Sequence, residues 1–326
     1  MAATVLTFRP AAFAGDFDLE AIAQLLNTCR VTDGLESRTS VAKLRENFAN
    51  PQFDMAHDLR LWWDSAGNLV AAASLWRMPP KDKVMGQLEF EIHPQVRHSG
   101  LAADVIAWGE QRLRAVGQNF TLPLVLHAGC RDSVSERRSL LSQFGFTPER
   151  YFFRLQRSLA TPLPTSQIPT GWQIRSVDPQ QDAAAWVEMF NDTFIDHWNY
   201  HPIKIETFHH HRTLANYNPE LDLVVETPKG QLVTFCASII DSERNARLGC
   251  QEGHVCLLGT RRGYRRLGLA RSLLLASLHK LKAAGMATAT IGVDAQNPLG
   301  ALSFYESVGF IKDRSSTVFR KALTAS

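Results

Sequence analysis

The sequence lacks the features by which several protein classes are first recognised. No apolar run reaches the roughly 18 residues that span a bilayer, and the N-terminus shows no basic segment followed by a long apolar stretch, as a secretory signal would. Lys and Arg number 35 against 32 Asp and Glu, with no basic block, which disfavours nucleic-acid binding. We therefore expect a cytoplasmic protein with neither a membrane nor a nucleic-acid partner, present as a monomer or homodimer.

Cysteine and nucleotide-binding motifs are sparse as well. The five cysteines are scattered without a C-x-x-C pair, which speaks against a disulfide framework and a zinc site. The run His209-His210-His211 invites a metal interpretation, but successive helical residues diverge by about 100°, and no acid or cysteine set completes a ligand pattern. The G-x-G-x-x-G and G-x-x-x-x-G-K-[ST] loops are absent, which disfavours a dehydrogenase or an NTPase. We expect no metal.

The sequence does contain an internal repeat. Four landmarks recur in the same order at offsets of 163 to 168 residues: LTFRP and WQIRS, GNLVAAAS and GQLVTFCAS, RHSGLA and RRLGLA, FGF and VGF. Between the copies, residues 158–170 hold three prolines among small polar residues, a composition typical of a linker. We predict an N-terminal domain over 1–157, a linker over 158–170 and a C-terminal domain over 171–326.

Each copy has the same predicted order of elements. After three strands that follow the first helical region come a long helix, a buried strand, a short helix and a last strand. This order predicts an α/β fold in which each domain is a mixed β-sheet, antiparallel at first and parallel near its end, flanked by helices. The predicted first strands are 4–9 and 172–177, the helical regions 17–49 and 180–214, and the long helices 99–117 and 267–285.

A basic, glycine-containing loop in the second copy carries the clearest chemical signal. The strand that includes His254 runs into this loop, and a long amphipathic helix follows. The first N–H groups of a helix have no internal partner and carry about half a positive charge. Gly268 permits close approach of a ligand, and Arg265, Arg266 and Arg271 add charge. The loop therefore suits a diphosphate, although a capped helix with solvated arginines fits the same pattern.

Two motifs of the second copy resemble the GNAT superfamily of N-acetyltransferases. Arg265–Ala270 fits the R/Q-x-x-G-x-G/A signature. The segment Asn297–Phe310 is similar to N-x-x-A-x-x-x-Y-x-x-x-G-F, with Asn297 one residue further upstream than in that pattern. Because of the repeat, the resemblance extends over nearly the whole chain and is similar to tandem, double-domain members.

The resemblance implies acetyl-CoA as co-substrate. The loop amides would hold the pyrophosphate, and the pantetheine would lie along the strand that ends at Leu258–Thr260. The residues so implied are Leu258, Gly259, Thr260, Arg265, Arg266, Leu267, Gly268, Leu269, Ala270, Arg271, Asn297, Ser303 and Tyr305. The loop of the first copy satisfies the same signature with Arg97, His98, Ser99, Gly100, Leu101 and Ala102.

Acetyl transfer to an amine needs a proton acceptor and a proton donor. The resemblance places Tyr305 beside the thiol sulfur, as the acid. Glu252 and His254 lie two residues apart on one strand and so share a face. Either could be the base, and either could instead have a structural role.

The first copy lacks these groups. By the repeat offsets, Leu141 stands at the position of Tyr305, Ser133 near that of Asn297, and Gly86 and Val84 at those of His254 and Glu252. We predict a non-catalytic first domain, which either binds acetyl-CoA or merely packs.

The acceptor side is predicted in the helical region of the second copy. Asp196 could attract a cation beside His197 and Trp198, although this aromatic cluster could equally be core. The leading hypothesis is an enzyme that acetylates a primary amine of a small molecule. The alternatives are a non-catalytic acetyl-CoA sensor and an acetyltransferase of protein N-termini or lysines, and the acyl chain length stays open.

Overall fold

A computed structural model describes residues 7–50 and 53–324. The chain divides into two compact units, of which unit 1 comprises Met1–Tyr151 and Ser316–Ser326, and unit 2 comprises Phe152–Ser315. Among the helices of the described ranges, none combines the length and apolarity needed to cross a bilayer.

Twelve strands and ten α-helices alternate along the described chain. The first part contains β1 (Arg9–Ala12), α1 (Asp16–Thr32), α2 (Val41–Phe48), α3 (Met55–Asp58), β2 (Leu59–Trp63), β3 (Leu69–Arg77), β4 (Val84–Ile92), α4 (Leu101–Gly117), β5 (Leu124–Arg131), α5 (Ser135–Gln143) and β6 (Thr147–Ser158). The second part contains β7 (Gln173–Ser176), α6 (Ala183–Phe194), α7 (Ile205–Arg212), β8 (Asp222–Glu226), β9 (Leu232–Ile240), α8 (Ser242–Leu248), β10 (Glu252–Thr260), α9 (Leu269–Ala283), β11 (Thr288–Asp294), α10 (Ala301–Ser307) and β12 (Ile311–Leu323).

Each unit has a sheet of the same design. In unit 1 the strand order is β1-β2-β3-β4-β5-β12, and in unit 2 it is β7-β8-β9-β10-β11-β6. The β4–β5 and β10–β11 pairs are parallel, and the other pairs within each unit are antiparallel. The predicted mixed α/β sheets, antiparallel first and parallel near their end, are confirmed.

The two units exchange their last strands. Ser316–Leu323 of β12 pairs with β5 of unit 1, whereas Phe152–Ser158 of β6 pairs with β11 of unit 2. The predicted boundaries at 157 and 171 follow the linear repeat and so assign each last strand to the opposite unit. A repeat offset gives the order of elements but not the pairing partner of a strand. Between β6 and β7, residues 159–170 contain neither helix nor strand, as a linker would.

The helix α9 directly follows the functional loop of the second copy, and its burial against the sheet fixes the position of that loop. Leu273, Leu274, Leu278 and Leu281 are fully buried against the sheet, and each contributes about 2 kcal/mol of apolar burial. The helix begins at Leu269, two residues later than predicted, because Gly268 before it has a left-handed backbone with φ +80°. Its end is followed by Gly285, also left-handed.

Two further differences from the predicted elements have local causes. The first strand of unit 1 begins at Arg9, whereas half of the predicted strand 4–9 lies outside the described residues. The helix α8 was not expected. It starts because the Asp241 carboxylate accepts a hydrogen bond from the Arg244 N–H, and it stops at Gly249, which is left-handed.

Candidate active site

A cleft of about 670 Å³ lies in unit 2 between the start of α9 and the start of α10. Of the predicted cofactor residues of this copy, all but Leu267 line it. Leu267 points to solvent with 53% of its surface exposed. The lining residues that the sequence indicated are Leu258, Gly259, Thr260, Arg265, Arg266, Gly268, Leu269, Ala270, Arg271, Asn297, Ser303 and Tyr305.

The loop before α9 adopts a strained backbone. Arg266 has φ +67° and Gly268 φ +80°, and a left-handed residue other than glycine costs about 1–2 kcal/mol. Space is open around Gly268, where an added Cβ would meet no atom within 4 Å. The loop therefore turns sharply and leaves the first amides of α9 accessible to an anion.

The strands that lead to the cleft separate at its floor. The parallel register of β10 with β11 runs from Glu252↔Thr288 to Val255↔Ile291, and a bulge in β10 follows between Val255 and Leu257. Beyond the bulge β10 continues to pair with β9. Its other edge thus faces the opening toward β11 and presents backbone groups to the cleft.

Gly259 keeps that strand close to α6. An added Cβ would lie 2.5 Å from Cγ2 of Thr193 and 2.6 Å from Cζ of Phe235. Only glycine fits without movement of these neighbours.

Arg265 lines the cleft, and its guanidinium is also bound to groups of the protein. Its guanidinium donates to the carbonyls of Thr260 and Thr193 at 3.2 and 3.0 Å, and lies 3.5 Å from the carboxylate of Asp196. Arg97 of unit 1 does the same toward the Ile92 carbonyl and Asp33. The first arginine of each loop therefore fastens the loop to its own unit. Arg271 likewise donates to the hydroxyl and carbonyl of Ser307 at 3.0 and 3.1 Å, and Arg266 also lines the cleft.

Asp196 is likewise engaged with the loop. It forms ion pairs with Arg262 and Arg265, and the hydrogen bond from Arg262, with the charge of both arginines, lowers its pKa. The expectation that Asp196 attracts the acceptor's cation is thus not matched by its surroundings, because arginine already neutralises it. His197 lines the cleft, and the Trp198 ring lies 6.0 Å from that of Phe152.

Tyr305 sits at the inner end of the cleft. Only 8% of its surface is exposed, and its ring packs against Phe304 and Phe310. Burial, with a smaller contribution from Cys236, raises the pKa of its hydroxyl well above the usual 10. The hydroxyl is therefore protonated at neutral pH.

His254 and Glu252 face the other side of the sheet. Val255 packs with the α9 leucines, and an added Cβ at Gly253 would meet Leu281 of α9. By strand alternation, the side chains of Glu252 and His254 point away from α9. They lie before the bulge in β10, and neither is among the described residues that line the cleft.

A hydrogen-bond chain links the two candidates for the base. The Thr290 hydroxyl lies 2.9 Å from Nδ1 of His254 and donates toward Glu252 Oε1 and the Gly253 carbonyl, each at 3.4 Å. The hydroxyl has a single proton to direct at one of these two oxygens, and in the Nδ1–H tautomer of His254 it accepts from Nδ1. Nε2 of His254 is then the nitrogen that can take a proton.

The charges around this chain favour neutral His254. Burial lowers its pKa below 6.5, nearby Arg154 and Arg244 add to this effect, and Glu252 opposes it. Glu252 itself is held by Arg154 at 2.5 Å and by Arg244 at 2.8 Å. The histidine is thus the freer proton acceptor of the pair.

Arg154 and Thr290 were missed by reasoning from sequence. Arg154 stands at the end of the first copy, and only the exchange of strands brings it to unit 2, opposite Gly292 in the register of β6 with β11. Thr290 lies in the run ATATIGVD, where it is one small or β-branched residue among several. No local motif marks either residue.

Unit 1 lacks the residues Glu252, His254 and Tyr305 of unit 2. The bulge in β10 also changes which residues of unit 1 correspond to them. Gly86, like Gly253, faces the long helix, with Leu113 of α4 in the place of Leu281. The counterparts of Glu252 and His254 are therefore Met85 and Gln87, not Val84 and Gly86, because the extra residue of the bulge shifts the repeat by one. Leu141, the counterpart of Tyr305, is fully buried.

The cleft beside the loop of unit 1 is smaller than that of unit 2. Gly100, before α4, is left-handed like Gly268, but the cleft measures only about 170 Å³. The charged and titratable side chains that line it include both acids and bases: Asp33, Glu91, Glu136, Arg97, His98 and Arg137. Glu136, at the start of α5, lies 3.0 Å from Arg97 and 3.6 Å from His98, which places a carboxylate directly against the loop.

His209–His211 lie on α7. Within the described ranges, no group of three or more His, Cys, Asp or Glu side chains is arranged to hold a metal ion.

Comparison with known proteins gives a consistent family. The family model described as "Acetyltransferase (GNAT) domain" matches residues 197–325. A mycothiol acetyltransferase of Thermobispora bispora is 25% identical over 307 residues, 93% of this chain and 96% of the relative. One of Streptomyces coelicolor is 26% identical over 302 residues, 92% and 91% of the two chains.

Solved structures share the fold over the same length. A GCN5-related N-acetyltransferase from Sphaerobacter thermophilus has a TM-score of 0.76 and 23% identity, with 97% of this chain and 95% of that one covered. A tandem GNAT protein from the clavulanic acid biosynthesis pathway has a TM-score of 0.71 and 14% identity, with 98% and 99% covered. Residues 197–325 thus match a GNAT acetyltransferase domain, relatives that span more than nine tenths of the chain are named acetyltransferases, and the fold over the whole length is that of tandem GNAT proteins.

Proposed function

We propose that unit 2 transfers an acetyl group from acetyl-CoA to a primary amine of a small molecule, by direct attack in a ternary complex. The observation that carries this proposal is the opening between β10 and β11, which has the anion-binding cleft and Tyr305 on one side and neutral His254 on the other. Donor and acceptor could thus meet from opposite faces of one sheet.

The residues of the cleft fit acetyl-CoA. The amides at the start of α9 and the side chains of Arg266 and Arg271 suit its diphosphate. The unpaired edge of β10 beyond Val255 offers backbone partners to the pantetheine amides. With a volume of about 670 Å³, the cleft is in the usual range for a small-molecule site.

The side chains divide the proton transfers between them. Nε2 of His254 accepts the proton of the attacking ammonium, directly or through water, and its lowered pKa leaves it unprotonated at neutral pH. The Tyr305 hydroxyl donates its proton to the departing sulfur. Its own pKa is raised, but the same dry surroundings also raise the pKa of the thiol that forms there. A backbone N–H near Leu258 is suited to stabilise the oxyanion.

Unit 1 is proposed to be non-catalytic and to leave acetyl-CoA unbound. Met85, Gln87 and Leu141 supply neither acid nor base. The carboxylates of Asp33 and Glu136 pair with Arg97 and so offset the positive charge that the loop could offer a diphosphate, and the space is about a quarter of that in unit 2.

The acceptor is proposed to be a small molecule because the relatives are named mycothiol acetyltransferase. The test is the consumption of acetyl-CoA with a panel of primary amines, including the amine whose acetylation forms mycothiol, and with protein N-termini and lysine peptides as the alternative class. Turnover of peptides only, or binding of acetyl-CoA without any turnover, would overturn the proposal.

A further inference from the structure

The exchanged strand β6 brings one charged residue to the proton acceptor. Arg154 pairs in register with Gly292 of β11. Its guanidinium reaches Glu252 of β10 at 2.5 Å and also contacts Asp313 of β12. It thereby joins three strands on the face that carries His254.

Glu252 is the link between this arginine and the histidine. The Oε1 atom of Glu252 accepts from Thr290, whose hydroxyl in turn meets Nδ1 of His254. A carboxylate fixed from two sides, by Arg154 and by Arg244 of α8, keeps the Thr290 hydroxyl aimed at it. The hydrogen bonds thus run from Glu252 through Thr290 to Nδ1 of His254, and they do not involve Nε2.

Unit 1 has a different set of side chains at these positions, because His127 stands where Thr290 does and pairs with Glu149 at 2.6 Å. At the position of Arg154 it has Val318, which pairs with Gly129 as Arg154 pairs with Gly292. At the positions of Glu252 and His254 it has Met85 and Gln87. The arginine thus occurs in the unit that has the other groups, and an apolar residue occurs where they are missing.

We propose that Arg154 is a positioning residue for acetyl transfer, which holds Glu252 and, through Thr290, orients His254 with Nε2 free to accept the proton. This inference rests on the function proposed above. Arg154 would not touch the reacting atoms. It acts through the carboxylate that it binds.

The charged and titratable groups around His254 determine in which direction its pKa should change in a variant. They are Arg154 on β6, Glu252 and the Cys256 thiol on β10, Arg244 on α8 and, behind Arg154, Asp313 on β12. Removing Arg154 takes away a positive charge that lowers the pKa of His254 and leaves Glu252, which raises it. The pKa of His254 should therefore rise.

The experiment is an NMR titration of the His254 ring in the full-length protein, assigned with His254→Asn. For Arg154→Met we expect the His254 pKa to rise by about one unit and the Nδ1–H tautomer to lose population. Arg154→Lys keeps the charge and should keep most of the parent pKa. Arg314→Met is the matched control, because it removes an arginine that binds Asp313 at 2.7 Å.

The kinetic arm uses the pH dependence of kcat/KM. In Arg154→Met the acidic limb should move to higher pH by the same amount, so that the rate falls by up to about tenfold at pH values well below the limb and little at about pH 9. An equal fall at all pH values, or Lys and Met variants that behave alike, would mean that Arg154 only packs.

The two arms separate the two proposals. An unchanged His254 titration in Arg154→Met overturns the positioning role whatever the activity. A shifted titration in a protein that acetylates no amine would leave the role of Arg154 toward His254 intact and refute the proposed reaction.

Discussion

At the scale of single residues, Tyr305 and His254 carry the proposed chemistry from opposite faces of the sheet. Tyr305→Phe removes the proton donor and leaves the ring packing against Phe304 and Phe310. We expect kcat to fall by about 100-fold or more, with the Kd of acetyl-CoA unchanged by calorimetry. A variant with full turnover would exclude Tyr305 as the acid.

His254 and Glu252 are distinguished by opposite effects on the pH profile. Glu252→Gln removes the negative charge that raises the His254 pKa, so the acidic limb of kcat/KM should move to lower pH while the rate at its plateau falls by no more than about fivefold. His254→Asn should lose about 100-fold. If Glu252 is the base instead, Glu252→Gln should lose about 100-fold in rate.

The sequence indicates most of these residues but not the hydrogen bonds and ion pairs that they form. Twelve of the thirteen residues expected at the cofactor line one cleft because two motifs fix both of its rims. Asp196 and Arg265 were expected to meet ligands, yet they bind each other and the loop. The ion pair depends on where α6 ends relative to β10, which no spacing within either segment reveals.

At the scale of elements, the start of α9 is the anion site. Gly268→Ala forces an alanine into a left-handed backbone at a cost of about 1–2 kcal/mol, and the loop should relax. We expect the free energy of unfolding to fall by that amount and the affinity for acetyl-CoA to fall with it.

Gly285→Ala is the matched control for this helix. Gly285 has φ +85° in open space after the end of α9, as Gly268 has φ +80° in open space before its start. Denaturant unfolding should give similar losses for both variants. Calorimetry should show weakened acetyl-CoA binding for Gly268→Ala alone, and equal weakening in both would refute a local role of the loop.

Hydrophobic periodicity was sufficient for the elements with strong patterns and failed for the bulge in β10. The leucines of α9 face one core, so its 3.6-residue period is visible in the sequence. The bulge at Cys256 is not visible, because one extra residue leaves the strand composition unchanged. It nevertheless shifts the alignment of the copies, so that His254 corresponds to Gln87.

At the scale of the whole chain, the exchanged strands determine what can be separated. A fragment of residues 171–326 lacks Phe152–Ser158, and so exposes the edge of β11 in unit 2. We expect no cooperative unfolding transition by circular dichroism for this fragment, whereas a fragment of residues 147–326 should show one. The same transition in both fragments would contradict the assigned exchange.

The internal repeat reveals two units but not this exchange. In each copy the last strand follows an equivalent short helix and an equivalent glycine, so the sequence of either strand fits either sheet. Which sheet each one completes is decided by pairing over long sequence separations. Arg154 reaches its site by that pairing alone.

Turnover with the two loops blocked in separate chains tests the central claim, that only unit 2 transfers the acetyl group. Gly100→Trp and Gly268→Trp place the same side chain at matched left-handed positions, and circular dichroism checks that both fold. Gly100→Trp should keep turnover within about twofold, and Gly268→Trp should lose about 100-fold or more. Loss of turnover in Gly100→Trp, with acetyl-CoA binding at the second loop unchanged, would contradict the claim.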